Sequence, residues 1–366
     1  MMRIGILGGG QLGQMLILAG TPLGLQFLCM DPAENAPVDS ISERIIHDYH
    51  NIDALRAMRE QTDIITYEFE NIPVLAVRYL AEKVPVYPGP DALEVAQDRL
   101  SEKNFFRDLN IPVPEYLEIN SLTDLQRGVK IIGLPAVLKL RRMGYDGKGQ
   151  YIIRQRSETE AAWNELGEAP LILEEYIQFE YEMSQIAVRS AEGEIVFYPL
   201  AQNTHRNGIL RLSLAPAPNA SAELQKLAQT YISDILQKLR YVGALAVEFF
   251  YRNGAIIANE MAPRVHNSGH WSIEGAETSQ FENHIRAVAG LPLGAAKPIG
   301  HSAMLNIIGV APQTSDILSI PGAHAHIYGK SPRPWRKLGH ITIRCSDPEE
   351  LAARIELAQK LLQIGS

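Results

Sequence analysis

The stretch that decides the fold is GILGGGQLGQM at residues 5–15, an apolar run broken by glycines. Gly8, Gly10 and Gly13 have the G-x-G-x-x-G spacing of a turn that joins a buried strand to a helix. At such a junction the amides of the helix N-terminus bind an anion, most often a phosphate. The spacing suits a dinucleotide and other phosphate ligands alike, so it leaves the ligand open.

The residues around this turn alternate between strand and helix patterns. MRIGILG, QFLCMD and DIITYEFE predict buried strands, and QLGQMLILAG and IPVLAVRYLAEK predict helices. Such alternation is typical of a parallel sheet covered by helices. Residues 91–109 predict one long amphipathic helix, after which Ile-Pro-Val-Pro indicates a boundary.

The later residues mix strands, glycine loops and helices, as α+β domains do. We predict a Rossmann-like parallel-sheet domain over residues 1–100, a small α+β domain over residues 101–178 and a larger α+β domain over residues 179–366. The predicted fold class is therefore α/β and α+β.

Composition excludes several classes of function. The 366 residues include 34 lysines and arginines and 42 aspartates and glutamates, a net charge of −8. This acidic balance argues against a general binder of nucleic acid or membrane surfaces, since both need basic patches. Two cysteines are too few for a disulfide framework or a zinc cluster, and they indicate buried thiols in a reducing cytosol. With neither a signal peptide nor a membrane-spanning apolar run evident, we expect a cytoplasmic protein.

A predicted hairpin carries a candidate metal site. ALAVEFFYR and AIIANEMAP flank an Asn253-Gly254 turn, with Glu248 on one arm and Glu260 on the other. A strict two-residue loop places Glu248 opposite Asn259, whereas a longer loop or one bulge places it opposite Glu260. Two carboxylates about 4 Å apart repel by about 4 kcal/mol at an effective dielectric near 20, so a facing pair needs a proton or a cation. Such hard oxygen ligands suit Mg²⁺ at nucleotide phosphates, and two unrelated glutamates are the alternative.

Other stretches carry candidate ligands for anions. Lys139, within the apolar strand VLKL, needs an anionic partner, either a carboxylate or a nucleotide phosphate. The loop GYDGKGQ, residues 144–150, either closes over phosphates or is a plain glycine-rich hairpin. Glu68 and Glu70 end a strand at the edge where open α/β sheets bind ligands.

Two polar segments follow later in the chain. APRVHNSGHW concentrates donors that suit a small oxyanion, and YGKSPRPWRKLGH is a local basic cluster in an acidic protein. A polar loop and a solvated surface are the respective alternatives. The donors in question are Arg264, His266, Asn267 and His270 in the first segment and Lys330, Arg333, Arg336 and Lys337 in the second.

The chain resembles the ATP-grasp enzymes of purine biosynthesis, and the shared motifs follow in order over nearly its whole length. They are GGGQLGQM, TYEFEN, GYDGKGQ, EEYI, NEMAPRVHNSGHW and RKLGH, of which HNSGHW after NE-x-APR is the most specific. The strongest similarity is to the members that carboxylate 5-aminoimidazole ribonucleotide. This resemblance implies an ATP-grasp fold in which residues 101–178 form a lid, with ATP and Mg²⁺ as cofactors. It implies bicarbonate and 5-aminoimidazole ribonucleotide as substrates, and carboxyphosphate as the intermediate.

The resemblance also implies a role for each matching residue. Mg²⁺ is assigned to Glu248 and Glu260. Nucleotide contacts are assigned to Arg99, Lys139, Gly144, Tyr145, Asp146, Gly147, Lys148, Gly149, Gln150, Glu174, Glu175, Tyr176, Ile177, Glu182, His205, Asn259 and Glu260. Bicarbonate and carboxyphosphate are assigned to Arg264, His266 and Asn267.

The remaining assignments concern the ribonucleotide. Its imidazole is assigned to Tyr145 and Lys148, with Glu70 or Glu68 facing it from the first domain. Its 5-phosphate is assigned to Gly10, Gln11, Leu12, Lys330 and Arg336, with the choice between Arg336 and Lys337 open. The family further implies a homodimer and a mutase that takes up the product, with neither nucleic acid nor membrane as a partner.

Three alternatives remain at this point. One is a sister ATP-grasp ligase that uses formate or another carboxylate, although that branch usually has a glycine-serine-glycine-glutamate first turn instead of GGGQLG. Another is an NAD-dependent oxidoreductase, because Asp31 lies 18 residues past Gly13 and suits a ribose-binding acid. The third is a catalytically silent ATP-binding partner.

Overall fold

The computed structural model of the chain describes residues 1–144 and 148–363. Its N-terminal part is a parallel sheet in the order β3-β2-β1-β4, which agrees with the strand–helix alternation of the sequence. Its strands are β1 (Arg3–Leu7), β2 (Gln26–Met30), β3 (Glu43–Ile45) and β4 (Ile64–Tyr67), and its helices are α1 (Gln11–Gly20), α2 (Ile52–Gln61) and α3 (Val74–Ala81).

The predicted single helix over residues 91–109 is wrong. Two helices occupy this stretch, α4 (Pro90–Ala96) and α5 (Arg99–Asp108). The break follows from Asp98, whose side chain accepts hydrogen bonds from the amides of Leu100 at 3.0 Å and Ser101 at 3.4 Å. An aspartate that caps a new helix in this way ends the preceding one, because its own backbone is extended.

A small antiparallel sheet follows, in the order β5-β8-β6-β7. Two helices, packed on its strands, complete a hydrophobic core of their own around Leu125 and Leu171. The elements are β5 (Tyr116–Ile119), α6 (Leu122–Ile132), β6 (Ala136–Leu140), β7 (Gln150–Ile153), α7 (Thr159–Leu166) and β8 (Leu171–Glu175).

The rest of the chain forms a large antiparallel sheet in the order β14-β13-β9-β11-β12-β15-β17-β16, with β10 beside β9. The strands are β9 (Tyr181–Arg189), β10 (Ile195–Phe197), β11 (Ala201–Arg206), β12 (Ile209–Ala215), β13 (Gly243–Arg252), β14 (Ala255–Ala262), β15 (His301–Ile308), β16 (Ala323–Ile327) and β17 (Lys337–Cys345). The helices are α8 (Ala222–Lys238), α9 (Ser272–Gly275), α10 (Gln280–Val288), α11 (Thr314–Leu318) and α12 (Pro348–Leu361). None of the helices in the described part of the chain is long and apolar enough to cross a membrane.

The first and last parts of the chain share a hydrophobic core. Helix α1 packs on α10, and Leu16 and Phe281 are buried in the same apolar cluster. At its edge, the ring of His284 lies between Thr66, with 2.8 Å from Nε2 to Oγ1, and the amide of Ala244, which donates to Nδ1 at 3.0 Å. Because that amide needs an acceptor, Nε2 carries the ring proton and donates to Thr66. This packing brings the carboxyl end of β4 close to the large sheet.

Candidate active site

A cavity of about 560 Å³ opens where the three sheets meet. Each of the three parts contributes to its wall, with Glu70 from just after β4, Lys139 from β6 and Glu248 from β13. The predicted site residues in the wall are Gln11, Leu12, Glu68, Glu70, Arg99, Lys139, Gly144, Gln150, Glu174, Glu175, Tyr176, Ile177, Glu182, His205, Glu248, Asn259, Glu260, Arg264, His266 and Asn267.

The hairpin of β13 and β14 places Glu248 directly opposite Glu260. Its turn is the expected two-residue loop, in which Asn253 and Gly254 both adopt positive φ angles of 51° and 83°. The register then shifts after Phe249, so that Asn259 has no partner in the pairing and Glu248 faces Glu260. Of the two arrangements open from the sequence, the one with a bulge is therefore present.

The two facing carboxylates differ in their surroundings. Burial raises the pKa of Glu248 to about 7, a rise that His205 opposes and the neighbouring Glu260 increases. Arg99 donates to Glu260 at 2.9 Å and, against the effect of burial, holds the pKa of Glu260 below its usual range. A cation between the two side chains would relieve the cost of ionising Glu248.

The donor set fits Mg²⁺, which prefers carboxylate oxygens and keeps ligands from a bound phosphate or water. Among residues 1–144 and 148–363, no three His, Cys, Asp or Glu side chains converge as a metal-binding group. The bulged Asn259 has a buried Oδ1 that lacks a hydrogen-bond partner in the described chain. The protein would therefore supply Glu248 and Glu260, and a bound nucleotide or water the other ligands.

A buried network of charges lies beside the hairpin, on the side of the small sheet. Lys139 donates to Glu174 at 2.8 Å, and the Nζ atom of Lys103 lies 3.7 Å from the same carboxylate oxygen. Although burial favours the neutral acid, these two lysines lower the pKa of Glu174 to about 2. Lys139 thus has the anionic partner that its apolar strand requires, and in this structure the partner is a carboxylate.

A histidine and a glutamate form a second pair on the cavity wall. His205 lies with its Nδ1 2.7 Å from the Oε2 of Glu182, across the paired strands β11 and β9. Burial by itself would lower the pKa of His205, but Glu182 and then Glu248 raise it to about 9. A protonated imidazole therefore faces the cavity at neutral pH, a suitable neighbour for a nucleotide.

The residues expected to bind an oxyanion gather at the end of β14. Arg264 donates through Nε to Glu70 and through Nη1 to the carbonyl of Val265 at 3.1 Å. Burial, and next the charge of Arg264, lowers the pKa of His266 to about 3, so this imidazole is neutral. Both polar atoms of the Asn267 side chain are buried and lack a hydrogen-bond partner in the described chain. These groups can receive a small anion between them.

The glycine turn at the start of α1 already holds two carboxylates. Glu68 accepts from the amide of Gly10 through Oε1 and from that of Gly13, at 2.6 Å, through Oε2. Asp31 accepts from the amide of Gly9 at 2.8 Å. These side chains neutralise the positive end of the helix, which is otherwise a site for an external anion.

Family models match the chain in three consecutive regions. They are the ribonucleotide synthetase preATP-grasp domain over residues 1–97, the ATP-grasp domain over residues 104–281 and the phosphoribosylaminoimidazole carboxylase C-terminal domain over residues 302–354. The N5-carboxyaminoimidazole ribonucleotide synthase of Pseudomonas aeruginosa is 50% identical over 99% of this chain and 100% of the relative. The chain belongs to the N5-carboxyaminoimidazole ribonucleotide synthase family. It is an ATP-grasp ligase.

Solved structures of this synthase family agree with the assignment. The synthetase from Thermus thermophilus superposes with a TM-score of 0.95 at 51% identity, covering 98% of each chain. The synthase from Aspergillus clavatus, solved in complex with ADP and 5-aminoimidazole ribonucleotide, superposes with a TM-score of 0.92 at 31% identity, covering 100% of this chain and 99% of that one. The predicted ATP-grasp fold with its N-terminal parallel sheet is thereby confirmed. The formate-using and NAD-dependent alternatives are not favoured.

Some residues expected from the synthase family lie elsewhere. Arg336 donates to the Ser331 hydroxyl at 2.9 Å, whereas its neighbour Lys337 lines the cavity. Lys330 lies beside the wall and donates to the side chain of Gln11. Of the remaining candidates, Gly10, Lys148 and Gly149 do not line the cavity, and Tyr145, Asp146 and Gly147 lie outside the described residues.

Sequence reasoning missed several polar residues that belong to the synthase site. Lys103 is completely buried, and Glu102 and Tyr328 line the cavity. Lys103 and Glu102 stand in a charged stretch of an amphipathic helix, where such residues usually face water. For Tyr328 a signal was available, because it is the first residue of the basic segment YGKSPRPWRKLGH.

Proposed function

We propose that the chain catalyses the ATP-dependent carboxylation of 5-aminoimidazole ribonucleotide by bicarbonate, yielding N5-carboxyaminoimidazole ribonucleotide, ADP and phosphate. The observation that carries the proposal is the position of the Glu248–Glu260 pair in the same cavity as Arg264, His266 and Asn267. A ligand for a nucleotide-bound cation thus lies beside a pocket for a small anion. The relatives' names and the ribonucleotide complex of the Aspergillus clavatus synthase supply the substrate.

In the first step, an oxygen of bicarbonate attacks the γ-phosphorus of ATP. A new O–P bond forms, the bond to the β,γ-bridging oxygen breaks, and that oxygen leaves with the electron pair on ADP. Arg99 and Lys139 are two of the cations in the wall, and they would neutralise the phosphates of ATP once the phosphates displace Glu260 and Glu174 as their partners. Glu248 and Glu260 would hold Mg²⁺, which would supply further charge neutralisation to the bound nucleotide.

In the second step, the amine of the ribonucleotide captures the carboxyl carbon, either from carboxyphosphate directly or from released carbon dioxide. A C–N bond forms, the C–O bond to the phosphoryl group breaks, phosphate leaves with that electron pair, and the amine loses a proton. Carboxyphosphate hydrolyses readily, so closure of the cavity against water is part of catalysis.

Arg264 is the central group of the proposed bicarbonate pocket, and Glu70 positions it. The ion pair fixes the guanidinium through Nε, and the carbonyl of Val265 accepts from Nη1, which leaves Nη2 for the anion. Burial disfavours a charged Glu70, but Arg264 outweighs this and lowers the pKa of Glu70 to about 2. We therefore propose that Glu70 acts by positioning Arg264 and does not itself contact the imidazole ring of the ribonucleotide.

The 5-phosphate of the ribonucleotide would lie next to the glycine turn without occupying all of it. Because Glu68 takes the amides of Gly10 and Gly13, the phosphate is left with the groups around Gln11, namely its side chain, the neighbouring amide of Leu12 and Lys330. Lys337 at the cavity wall is better placed than Arg336 to add a charge. The homodimer and the mutase partner remain predictions from the family, and the cytoplasmic location remains a prediction from the sequence.

Phosphate release measured with each substrate omitted in turn tests the proposal. We expect release with ATP, bicarbonate and 5-aminoimidazole ribonucleotide together and a large loss without bicarbonate in degassed buffer. Replacing bicarbonate by formate serves as the matched control, since a formate-using ligase would show the opposite preference. Phosphate release at the same rate with bicarbonate, with formate and with neither would contradict the proposed function. Failure to detect the carboxylated ribonucleotide would contradict it as well.

A further inference from the structure

Tyr328 and His340 form a buried pair that none of the roles above uses. Tyr328 follows strand β16, is 2% exposed and contributes to the cavity wall. Its hydroxyl oxygen lies 2.7 Å from Nδ1 of His340, a fully buried residue of β17. The backbone amide of Tyr328 donates to the carbonyl of Leu338 at 2.9 Å, which fixes the tyrosine beside its partner.

The environment of His340 determines which of its nitrogens carries the proton. Burial lowers the pKa of His340 well below its usual range, so the ring is neutral and has one N–H and one lone pair. Two other histidine rings contact the ring of His340. That of His326 is stacked on it, with 4.3 Å between the ring centroids, and that of His270 is tilted, with 4.9 Å between the centroids. Neither ring forms a hydrogen bond with His340. Nε2 of His340 is buried and has no hydrogen-bond partner in the described part of the chain.

A proton on Nε2 would leave a buried N–H without an acceptor, which proteins avoid more strictly than a bare lone pair. The proton therefore resides on Nδ1 and is donated to the oxygen of Tyr328. The hydroxyl of Tyr328 then accepts one hydrogen bond and keeps its own proton for another acceptor. Within residues 1–144 and 148–363, His340 is the one hydrogen-bond partner of that hydroxyl.

The surroundings of Tyr328 indicate the kind of acceptor. The Nζ atom of Lys330 lies 6.0 Å from the centre of the tyrosine ring and donates to the side chain of Gln11, at the start of α1. Cationic and amide groups at this end of the cavity favour an anionic oxygen over a cation or an apolar group. The proposed ribose 5-phosphate position is the part of the ligand that matches.

We infer that Tyr328 is a substrate-binding residue, whose hydroxyl donates a hydrogen bond to the 5-phosphate of the ribonucleotide, and that His340 is the positioning residue that orients this hydroxyl. This inference rests on the proposed function for the identity of the ribonucleotide. It assigns to Tyr328 a contact with the phosphate, and to His340 no contact with any ligand.

Binding of ribose 5-phosphate, measured by titration calorimetry, tests the inference without any turnover. In Tyr328→Phe, which keeps the ring and removes the donor, we expect affinity for ribose 5-phosphate to fall about tenfold or more, since a hydrogen bond to a charged group is lost. Affinity for ATP should change by less than about twofold. Tyr231→Phe, on helix α8 and away from the cavity wall, is the matched control and should bind ribose 5-phosphate like the unmodified protein. Titration with unphosphorylated ribose distinguishes the phosphate from the sugar hydroxyls as the acceptor.

The role of His340 is tested by rescue and by coupling. His340→Asn retains an N–H close to the position of Nδ1 and should bind ribose 5-phosphate nearly normally. His340→Leu has no such donor, and its affinity for ribose 5-phosphate should fall almost as far as that of Tyr328→Phe. In the Tyr328→Phe background, His340→Leu should cause little further loss, because both changes remove one hydrogen bond.

Two results would overturn the inference. One is equal affinity of Tyr328→Phe and the unmodified protein for ribose 5-phosphate, or no binding by either; the other is a loss that falls equally on ATP and unphosphorylated ribose. Carboxylation assays report on the proposed function separately. An unmodified protein that binds ribose 5-phosphate through Tyr328 but does not carboxylate 5-aminoimidazole ribonucleotide would refute the proposed function and leave the phosphate contact in place.

Discussion

At the scale of single residues, Glu248 and Glu260 show how neighbouring charges separate two identical side chains. Both are drawn into the cavity wall, but Glu260 has Arg99 as a partner and Glu248 has neutral His266, with 3.3 Å between Oε1 and Nε2. Burial therefore raises the pKa of Glu248 to about 7 while the pKa of Glu260 stays low. At neutral pH, Glu260 carries the more dependable charge for a cation.

Glu260→Gln should lower turnover by about a hundredfold or more and leave the fold intact. The amide keeps the shape of the side chain and can still accept from Arg99, but it loses the charge that a metal needs. Phosphate release and circular dichroism measure the two effects. Glu192→Gln, an exposed residue, is the matched control and should be fully active. Unchanged turnover in Glu260→Gln would remove this carboxylate from the mechanism.

The raised pKa of His205 predicts a pH-dependent contribution to stability. Although burial by itself would lower the pKa of His205, Glu182 raises it to about 9 in the folded protein, against about 6.5 when unfolded. Because the folded protein binds this proton more tightly, protonated His205 stabilises the folded state, and the contribution is complete below about pH 6.5. It is lost as the pH rises through about 9. The melting temperature of the unmodified protein should therefore exceed that of His205→Asn most at low pH, and the difference should shrink across this window. His47→Asn, at an exposed histidine, is the matched control, and a pH trend shared by both variants would contradict the role given to His205.

At the scale of elements, the hairpin shows what the sequence can decide and what it cannot. The alternation of apolar residues and the Asn253-Gly254 turn predict both strands, and the structure agrees. The sequence does not decide whether a bulge is present at Asn259, because the same turn is compatible with a regular strand pairing and with a shifted one. At the bulge, the carbonyl of Asn259 accepts from Lys103 of a distant helix, and local sequence patterns do not report such contacts.

Helix α1 is capped from outside, and this predicts a stability effect. Its N-cap residue, Gly10, has no side chain to offer, so Glu68 at the end of β4 accepts from two amides of the turn. Glu68→Gln should lower the free energy of unfolding by about 2 kcal/mol, since one carboxylate oxygen becomes an NH2 group that cannot accept from the backbone amide it faces. We expect the melting temperature to fall by about 3 °C.

The control for this prediction is Glu43→Gln. Glu43 pairs with Arg3 on the surface, with 75% of its side chain exposed, and should contribute little. Equal melting temperatures for the two variants would mean that Glu68 does not hold the glycine turn.

At the scale of the whole molecule, helix α5 connects the small sheet to the large sheet beside the cavity. Its cap Asp98 accepts from Arg141 of the small domain at 2.9 Å, and its first residue Arg99 binds Glu260 of the large sheet. Lys103 reaches Glu174 of the small sheet and the backbone of the hairpin. The mutual position of nucleotide ligands from different sheets therefore depends on one helix.

Lys103→Met should destabilise the protein by about 3 kcal/mol, because it removes one partner from a buried group of charges. The KM for ATP should also rise, since Glu174 would then hold Lys139 more tightly. Thermal unfolding and ATP titration measure these effects. Lys226→Met, an exposed change on α8, is the control and should alter neither quantity. Normal stability and a normal KM in Lys103→Met would contradict the role given to α5.

Much of the overall architecture could be predicted from local patterns, and the joins between its parts could not. Strand–helix alternation indicates the parallel sheet, and the family motifs indicate the ATP-grasp fold. The packing of Leu16 on the core of Phe281, and the bond from His284 to Thr66, bring together residues more than 200 positions apart. No periodicity of either segment reports on the other, so the shared core became visible in the structure alone.

The contact between Lys330 and Gln11 has a consequence for biosynthesis of the enzyme. These residues are 319 positions apart, yet both belong to the proposed phosphate site. A ribosome that adds about 5–20 residues per second needs tens of seconds between the two codons. During that interval the nascent polypeptide has the glycine turn but lacks the lysine, so ribonucleotide capture must wait until nearly all of the message has been translated.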